Sequence, residues 1–188
     1  MCENIVVDDV ELFEKQSYRN RCTIAGANGP IDLIVPVHSS RRRLPVKDIE
    51  IDNHTNWQHQ HWQSIKSAYG KTAFFEHYAY KLEPLYTTEY NLLFDFNFDL
   101  LKIIFKILKM GPDKIKLLSE STGVDYISFK NKVHPKEKFR VPDDDFHPVM
   151  YHQAFADRYG FVTNLSIIDL VFNEGPEAIR ILRDSCEA

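Results

Sequence analysis

The chain has 188 residues, of which 44% are hydrophobic and 27% are charged, a composition typical of an ordinary soluble globular domain. Its 23 basic and 27 acidic residues give a net charge of -4, which argues against a dedicated nucleic-acid binder or a polybasic membrane-surface protein. The three cysteines, Cys2, Cys22 and Cys186, form no close pair in the sequence, which excludes a zinc ribbon and a disulfide scaffold.

Strand signals dominate the N-terminal part of the chain. Residues 4–10 are rich in β-branched side chains and predict a strand that ends in a turn. Residues 21–26 and 31–37 flank Asn28-Gly29, and such a pair between two apolar runs predicts a β-hairpin. Residues 46–51 alternate loosely enough to predict one further short strand.

Helix signals dominate the middle and the C-terminal part. Four residues recur at helical spacing and predict a helix that ends at Gly70: Trp57, His61, Ile65 and Ala68. Further helices are predicted over residues 72–80, from 87 to the stop at 111–112, from 166 onward, and from 176 to 183. The fold class is therefore α/β or α+β, in one domain over residues 1–188.

Three segments bear on location and mobility. The N-terminus has no basic region followed by an apolar run, so we expect no secretory signal and a cytoplasmic protein. The most apolar stretch, residues 92–108, is interrupted by charges that a bilayer core would penalise, and it predicts a buried helix, not a membrane span. Residues 119–145 are mixed and polar, with one strand-like piece at 124–127, and predict a mobile loop.

Basic residues are concentrated near the N-terminus, where residues 15–47 hold seven of them and one acidic residue. Arg19 and Arg21 have the same strand parity and would point to one face, and Arg43 closes a run of three arginines. Arginine binds phosphate and carboxylate bidentately, so these side chains predict a site for an anionic small molecule. The alternative is a solvated loop with a strand edge that charge protects from pairing.

Two further clusters carry polar side chains suited to chemistry. His61 shares its helix face with Trp57 and therefore has either an acid/base role or a buried, hydrogen-bonded one. A second cluster could line a cleft for a hydroxylated ligand such as a sugar: His147, Tyr151, Gln153 and Asn164. Asp169, three residues after Ser166, either joins this cleft or caps its own helix. The sequence contains no phosphate-binding loop, dinucleotide turn or zinc-protease motif, and we predict no cofactor and no metal.

Three strings taken together resemble the WbqC-like family over nearly the whole chain. They are residues 15–24 (KQSYRNRCTI) with Pro36-Val37, residues 49–52 (IEID) with Trp57 and residues 61–69 (HWQSIKSAY), and residues 164–176 (NLSIIDLVFNEGP). Family members begin with a strand, a proline-containing loop and a helix ahead of the segment that matches residues 4–10, so we expect either a downstream start or a member without the first strand.

The resemblance implies a pathway more than a reaction. The family is associated with gene clusters for O-antigen and other cell-surface polysaccharides, which implies modification of a nucleotide-linked amino sugar. The family positions that map onto this chain are Arg19, Asn20, Arg21, Trp57, His61, Trp62, His147, Asn164, Ser166, Asp169 and Asn173.

These observations lead to two main hypotheses. The first is a transferase-type enzyme in which His61 or His147 moves a proton and an anionic substrate, a nucleotide sugar or an acyl or aminoacyl donor, is bound. Its predicted substrate-binding residues are Arg19, Asn20, Arg21, Arg43, Trp57, Tyr151, Gln153, Asn164, Ser166 and Asp169. The second is a non-catalytic partner protein that docks another subunit through the aromatic surface of residues 57–80. A metal-dependent hydrolase is a third alternative, which would need three converging ligands.

Overall fold

The computed structural model describes residues 4–38, 43–121, 123, 125–129, 132–136, 141 and 143–186. The strands are β1 (Ile5–Val7), β2 (Arg21–Gly26), β3 (Gly29–Ile34) and β4 (Ile115–Leu117). The helices are α1 (Trp57–Tyr69), α2 (Phe75–Leu82), α3 (Leu93–Ile107), α4 (Ala156–Tyr159), α5 (Ile167–Glu174) and α6 (Ala178–Asp184). This mixture of N-terminal strands with helices in the middle and at the C-terminus confirms the predicted fold class.

The chain divides into two compact units. Unit 1 comprises Met1–Asn20, Val35–Thr55 and Thr88–Val141, and unit 2 comprises Arg21–Ile34, Asn56–Thr87 and Pro142–Ala188. In unit 1, β1 pairs in parallel with β4, with Ile5 opposite Ile115. The apolar face of α3 buries Leu93, Phe96, Ile104, Phe105 and Ile107 in the core of this unit. The N–H of Leu93 donates to the carbonyl of Ile49 at 2.9 Å.

Unit 2 contains the predicted hairpin. β2 pairs antiparallel with β3 from Arg21 opposite Ile34 to Gly26 opposite Gly29, which leaves Ala27 and Asn28 as the two-residue turn. The prediction is confirmed, with the turn one residue earlier than Asn28-Gly29. Helix α1 is confirmed too, and it buries the residues that its spacing predicts together with two others: Trp57, His61, Trp62, Ile65, Ala68 and Tyr69.

Other predicted elements differ from the structure. Residues 46–51 were expected to form a strand but contain a 3₁₀ turn at Val46–Asp48, because Val46 and Ile49 are buried three residues apart. Helix α3 begins at Leu93, six residues later than residue 87, because the extended Leu92 bridges to Glu50. Residues 125–127 form no strand, whereas β4, a short strand at 115–117, had no signal in the apolar pattern.

Some predictions fall outside the part of the chain that the structure describes. These include the positions of Cys2, Arg41 and Arg42, and several residues of the 119–145 segment, so its predicted mobility stays a prediction. The single-domain assignment also stays a prediction. Among the described residues, no helix is both long and apolar enough to cross a membrane.

Gly175 ends α5 in a conformation that other residues rarely adopt. Its φ is 55°, and a Cβ atom built on it would lie 2.5 Å from the ring of Phe74. The N–H of Phe74 donates to the carbonyl of Phe172 at 3.2 Å, so the backbone beside this ring is tied to α5. A side chain at position 175 therefore meets both backbone strain and a steric clash.

We expect Gly175→Ala to lower the free energy of unfolding by about 1–3 kcal/mol. Gly160 also has a positive φ, 76°, but nothing lies within 4 Å of its Cβ position. Gly160→Ala is therefore the control that isolates the backbone contribution. Chemical denaturation of the two variants measures the difference, and equal losses would contradict the close packing against Phe74.

Candidate functional site

A buried carboxylate lies at the centre of unit 2. Helix α5 places Asp169 with 0% of its surface exposed, and the hydroxyl of Tyr151 donates to its Oδ2 at 2.8 Å. The phenol of Tyr69 also hydrogen-bonds Asp169, and the same phenol oxygen accepts the N–H of Ala25 at 3.1 Å. We refer to Asp169, Tyr69 and Tyr151 as the Asp169 cluster. It links α1, α5, β2 and the segment before α4.

Burial governs the electrostatics of this cluster. It raises the pKa of the Asp169 carboxyl above its ordinary value, although hydrogen bonds from Tyr151 and Tyr69 act in the opposite direction. Burial and the neighbouring carboxylate raise the pKa values of both tyrosines, so the two phenols keep their protons at neutral pH. Both tyrosines can therefore serve as hydrogen-bond donors to Asp169.

The expectation that Asp169 caps its own helix is wrong. Ser166 is the N-cap residue of α5 but makes no side-chain capping hydrogen bond, and the Asp169 carboxylate bonds the tyrosines instead. The backbone N–H of Asp169 is satisfied by the carbonyl of Ser166 at 2.9 Å. The hydroxyl of Ser166 hydrogen-bonds Cys22, and burial raises the pKa of that thiol to about 11. Cys22 is therefore not a thiolate at neutral pH.

An open cleft of about 720 Å³ lies beside this cluster, and all of its walls belong to unit 2. Small side chains make the space, namely Ala27, Ser67, Ala68, Gly70, Ala73 and Ala154. Larger groups that can bind a ligand complete the walls, namely Lys66, Lys71, Thr72, His152, Phe155 and Asn173. We call it the unit 2 cleft. It combines two cations, several other polar side chains and one aromatic ring.

The Asp169 cluster adjoins the walls of this cleft through the chain itself. Tyr69 directly precedes Gly70, and Tyr151 directly precedes His152. Asn173 lies one turn after Asp169 on α5, and its Nδ2 donates to the backbone carbonyl of Asp169 at 2.8 Å. Each wall is thus held next to a residue of the cluster, which fixes the shape of the cleft.

The residues of the predicted sugar cleft meet only in part. Tyr151, Asn164 and Ser166 line a smaller, mostly apolar pocket of about 120 Å³. The side-chain amide of Gln153 hydrogen-bonds the backbone of Val162. Its Nε2 donates to the Val162 carbonyl at 2.8 Å, and its Oε1 accepts the Val162 N–H at 2.9 Å. His147 is exposed, and its backbone N–H donates to the carbonyl of Ser185 at 2.8 Å.

His61 has the buried, hydrogen-bonded environment that was one of its two predicted alternatives. Its ring is 8% exposed, its Nε2 lies 3.1 Å from the carbonyl oxygen of Ile34, and Trp57 packs edge-on at 5.1 Å. Burial lowers its pKa to about 4, so at neutral pH the uncharged ring donates Nε2–H to that carbonyl. This geometry agrees with a packing role, and the catalytic assignments of His61 and His147 stay predictions.

Arg19 and Arg21 were predicted to lie on one face of a strand, and the structure shows that they do not. β2 begins at Arg21, so Arg19 precedes the strand, and its guanidinium bonds both carboxylate oxygens of Glu11 within unit 1. Asn20 donates its Nδ2 to the carbonyl of Val35 at 3.0 Å. Arg21 lies 3.8 Å from Asp32, which is the cross-strand neighbour of Thr23, and Arg43 is exposed.

Most of the groups that line the unit 2 cleft were not among the predicted site residues. Lys66, Lys71, Thr72 and His152 lie at or near the ends of elements, and only Lys66 falls within one of the strings that resemble the family. Asn173 was present among the family positions but was not selected as a site residue. A usable signal was the run of small residues around Gly70, which marks room for a ligand. Across the described ranges, no three His, Cys, Asp or Glu side chains are grouped so that they could hold a metal ion.

Comparison with known proteins gives a family and one distant relative. The model of the WbqC-like protein family matches residues 1–126 and 116–181 of the chain. The chain is 28% identical to the uncharacterized protein Rv1507c of Mycobacterium tuberculosis over 207 aligned positions, which cover 96% of this chain and 87% of the relative. No solved structure matches the chain.

We expect the buried carboxyl of Asp169 to destabilise the folded state as it ionises. Because the folded-state pKa is raised, the stabilising contribution of the protonated carboxyl is complete below its ordinary pKa of 3.8 and is lost as the pH rises through the folded-state pKa. The unfolding free energy of the wild type should therefore fall relative to that of Asp169→Asn as the pH rises above about 4. Denaturant titrations check this, with exposed Asp144→Asn as the control, and parallel pH profiles would contradict it.

The lowered pKa of His61 makes the unfolding free energy depend on pH in the opposite direction. The unfolded chain binds a proton below about pH 6.5 that the folded chain accepts only near pH 4, so stability falls as the pH falls through this window. We expect the wild type to lose about 2–3 kcal/mol relative to His61→Gln across it. Exposed His59→Gln on the same helix is the control, and it should track the wild type. An unchanged difference between wild type and His61→Gln would refute the neutral, buried imidazole.

Proposed function

Because the chain belongs to the WbqC-like protein family, we propose that it acts on an activated sugar in the biosynthesis of a cell-surface polysaccharide of the O-antigen type. The family's association with such gene clusters supports the pathway, and the unit 2 cleft supports the substrate class. The proposed reaction is a transferase-type modification of a nucleotide-linked amino sugar.

One observation carries the proposal: the unit 2 cleft brings two cations, polar side chains and an aromatic ring together. Its volume of about 720 Å³ lies within the roughly 300–1,000 Å³ of small-molecule sites. Lys66 and Lys71 supply the charge that a diphosphate requires, and Thr72 supplies a hydroxyl for the sugar. The ring of Phe155 offers an apolar face for a nucleobase.

His152 is the group on this wall that suits proton transfer. It is exposed at the cleft, and its backbone is held by a hydrogen bond from its N–H to Glu174 at 2.8 Å. In transfer from an acyl or aminoacyl donor, the carbon–nitrogen bond forms as the bond to the donor's leaving group breaks. A sugar nitrogen that binds as an ammonium ion has no lone pair, so His152 must first accept one of its protons before the carbon–nitrogen bond can form. The second proton of that nitrogen departs with the leaving group.

The alternative of a non-catalytic partner protein has less support. That alternative was based on an exposed aromatic surface over residues 57–80, but the side chains of Trp57 and Trp62 are only 3% and 6% exposed. The indole of Trp62 donates to Glu83 at 3.0 Å, and Phe75 is half-buried beside it. Tyr80 has 63% of its surface exposed, but the apolar surface of one tyrosine is too small for a docking patch.

The double variant Lys66→Ala/Lys71→Ala should bind uridine diphosphate sugars about tenfold or more weakly, because it loses two charge-assisted contacts to phosphate. Isothermal titration with UDP-glucose and UDP-glucosamine measures the loss. Lys116→Ala, an exposed lysine of β4, is the matched control and should bind as the wild type does.

Two outcomes would redirect this proposal. Binding that is unaffected by the lysine substitutions but lost in Arg21→Ala would move the phosphate site to β2, as the sequence first suggested. A wild type that binds no nucleotide sugar at all, by titration or by thermal shift, would refute the proposed substrate class.

A further inference from the structure

Two buried hydrogen-bond acceptors on α5 lack donors within the described part of the chain. They are Oδ1 of Asp169 and Oδ1 of Asn173. Asn173 is 7% exposed and lines the unit 2 cleft, and Asp169 lies one helical turn before it. The hydrogen bond from Nδ2 of Asn173 to the carbonyl of Asp169 fixes the orientation of the amide, so Oδ1 is the atom left to accept.

Such a pair is costly for the protein alone. A buried acceptor without a donor costs roughly 1–3 kcal/mol, and most buried polar atoms in folded proteins are satisfied. Asn173 lines the open cleft and Asp169 lies one turn behind it, so the unpaired Oδ1 of Asn173 indicates a donor that comes from outside the chain. The missing partner must donate a hydrogen bond, because an amide oxygen can only accept.

We propose that Asn173 is the residue that recognises the amino group of the ligand, with the carboxylate of Asp169 behind it supplying the complementary negative charge. This inference rests on the proposed function, since it names the group that distinguishes the sugar bound in the unit 2 cleft. An ammonium group carries several donors and a positive charge, so it matches the amide oxygen of Asn173 with a carboxylate behind it better than a hydroxyl does.

The distribution of charge along the cleft agrees with such a ligand. Lys66 and Lys71 lie on the wall formed by the end of α1 and the residues that follow it, while Asn173 and Asp169 belong to α5. A ligand with an anionic part and a cationic part can satisfy both walls. A diphosphate-linked amino sugar has this arrangement.

The test compares UDP-glucosamine with UDP-glucose, which differ at one position of the sugar. We expect the wild type to bind UDP-glucosamine about tenfold more tightly, and Asn173→Leu to bind the two ligands within about twofold of one another. Asn173→Asp keeps an acceptor and adds charge, so it should retain the preference even if the leucine variant folds poorly. Asn91→Leu, at an exposed position, is the matched control.

The outcomes separate this inference from the proposed function. If the wild type binds both ligands equally, or if Asn173→Leu keeps the full preference, Asn173 does not recognise the amino group, although the cleft still binds nucleotide sugars. If neither ligand binds the wild type, the proposed function fails, and this inference fails with it. Circular dichroism spectra of each variant establish that it is folded before its affinity is compared.

Discussion

Placing Asp169 in an interior without solvent constrains the organisation of unit 2. A carboxylate removed from water is destabilising unless donors surround it, and here the donors come from Tyr69, at the end of α1, and Tyr151, in the segment before α4. Because Tyr69 also accepts the N–H of Ala25, the hairpin strand β2 is attached to the same network. The residues around Asp169 on α5, Ile168, Leu170, Val171 and Phe172, are all buried, so the helix has little freedom to turn the carboxylate outward.

The same interaction explains why the cleft has a defined shape. Its walls are chain neighbours of the three residues that meet at the carboxylate, while its space comes from alanine, serine and glycine at positions where larger side chains would fill it. Stability and function are therefore linked at Asp169. A change that weakens the cluster acts on the core and on the geometry of the cleft together, so a loss of ligand binding in an Asp169 variant is interpretable only beside its unfolding curve.

Local patterns predicted the parts of the fold that local chemistry determines. The hairpin follows from two apolar runs around a turn sequence, and α1 follows from Trp57, Ile65 and their neighbours at helical spacing. The role of Asp169 was harder to predict, because its spacing from Ser166 matches a helix cap, whereas its partners Tyr69 and Tyr151 are remote in the sequence. For the site, Tyr151 was a candidate for the cleft, whereas Asp169 was assigned either to the cleft or to a helix cap, and their direct contact was not predicted. The cleft lysines could not be identified, because exposed lysines carry no positional signal until the fold brings them to one wall.

The parallel pairing of β1 with β4 has a consequence for how the protein folds. Ile5 pairs with Ile115, and Ser119 anchors this connection by donating its N–H and its hydroxyl to the carboxylate of Asp9, which lies 110 residues away. Contacts of such separation form slowly, since the intervening chain must first be confined, whereas the hairpin and the helices close locally. During synthesis the first strand leaves the ribosome long before its partner exists. The β1 strand therefore cannot form its pairing with β4 until residues 115–117 have been synthesised.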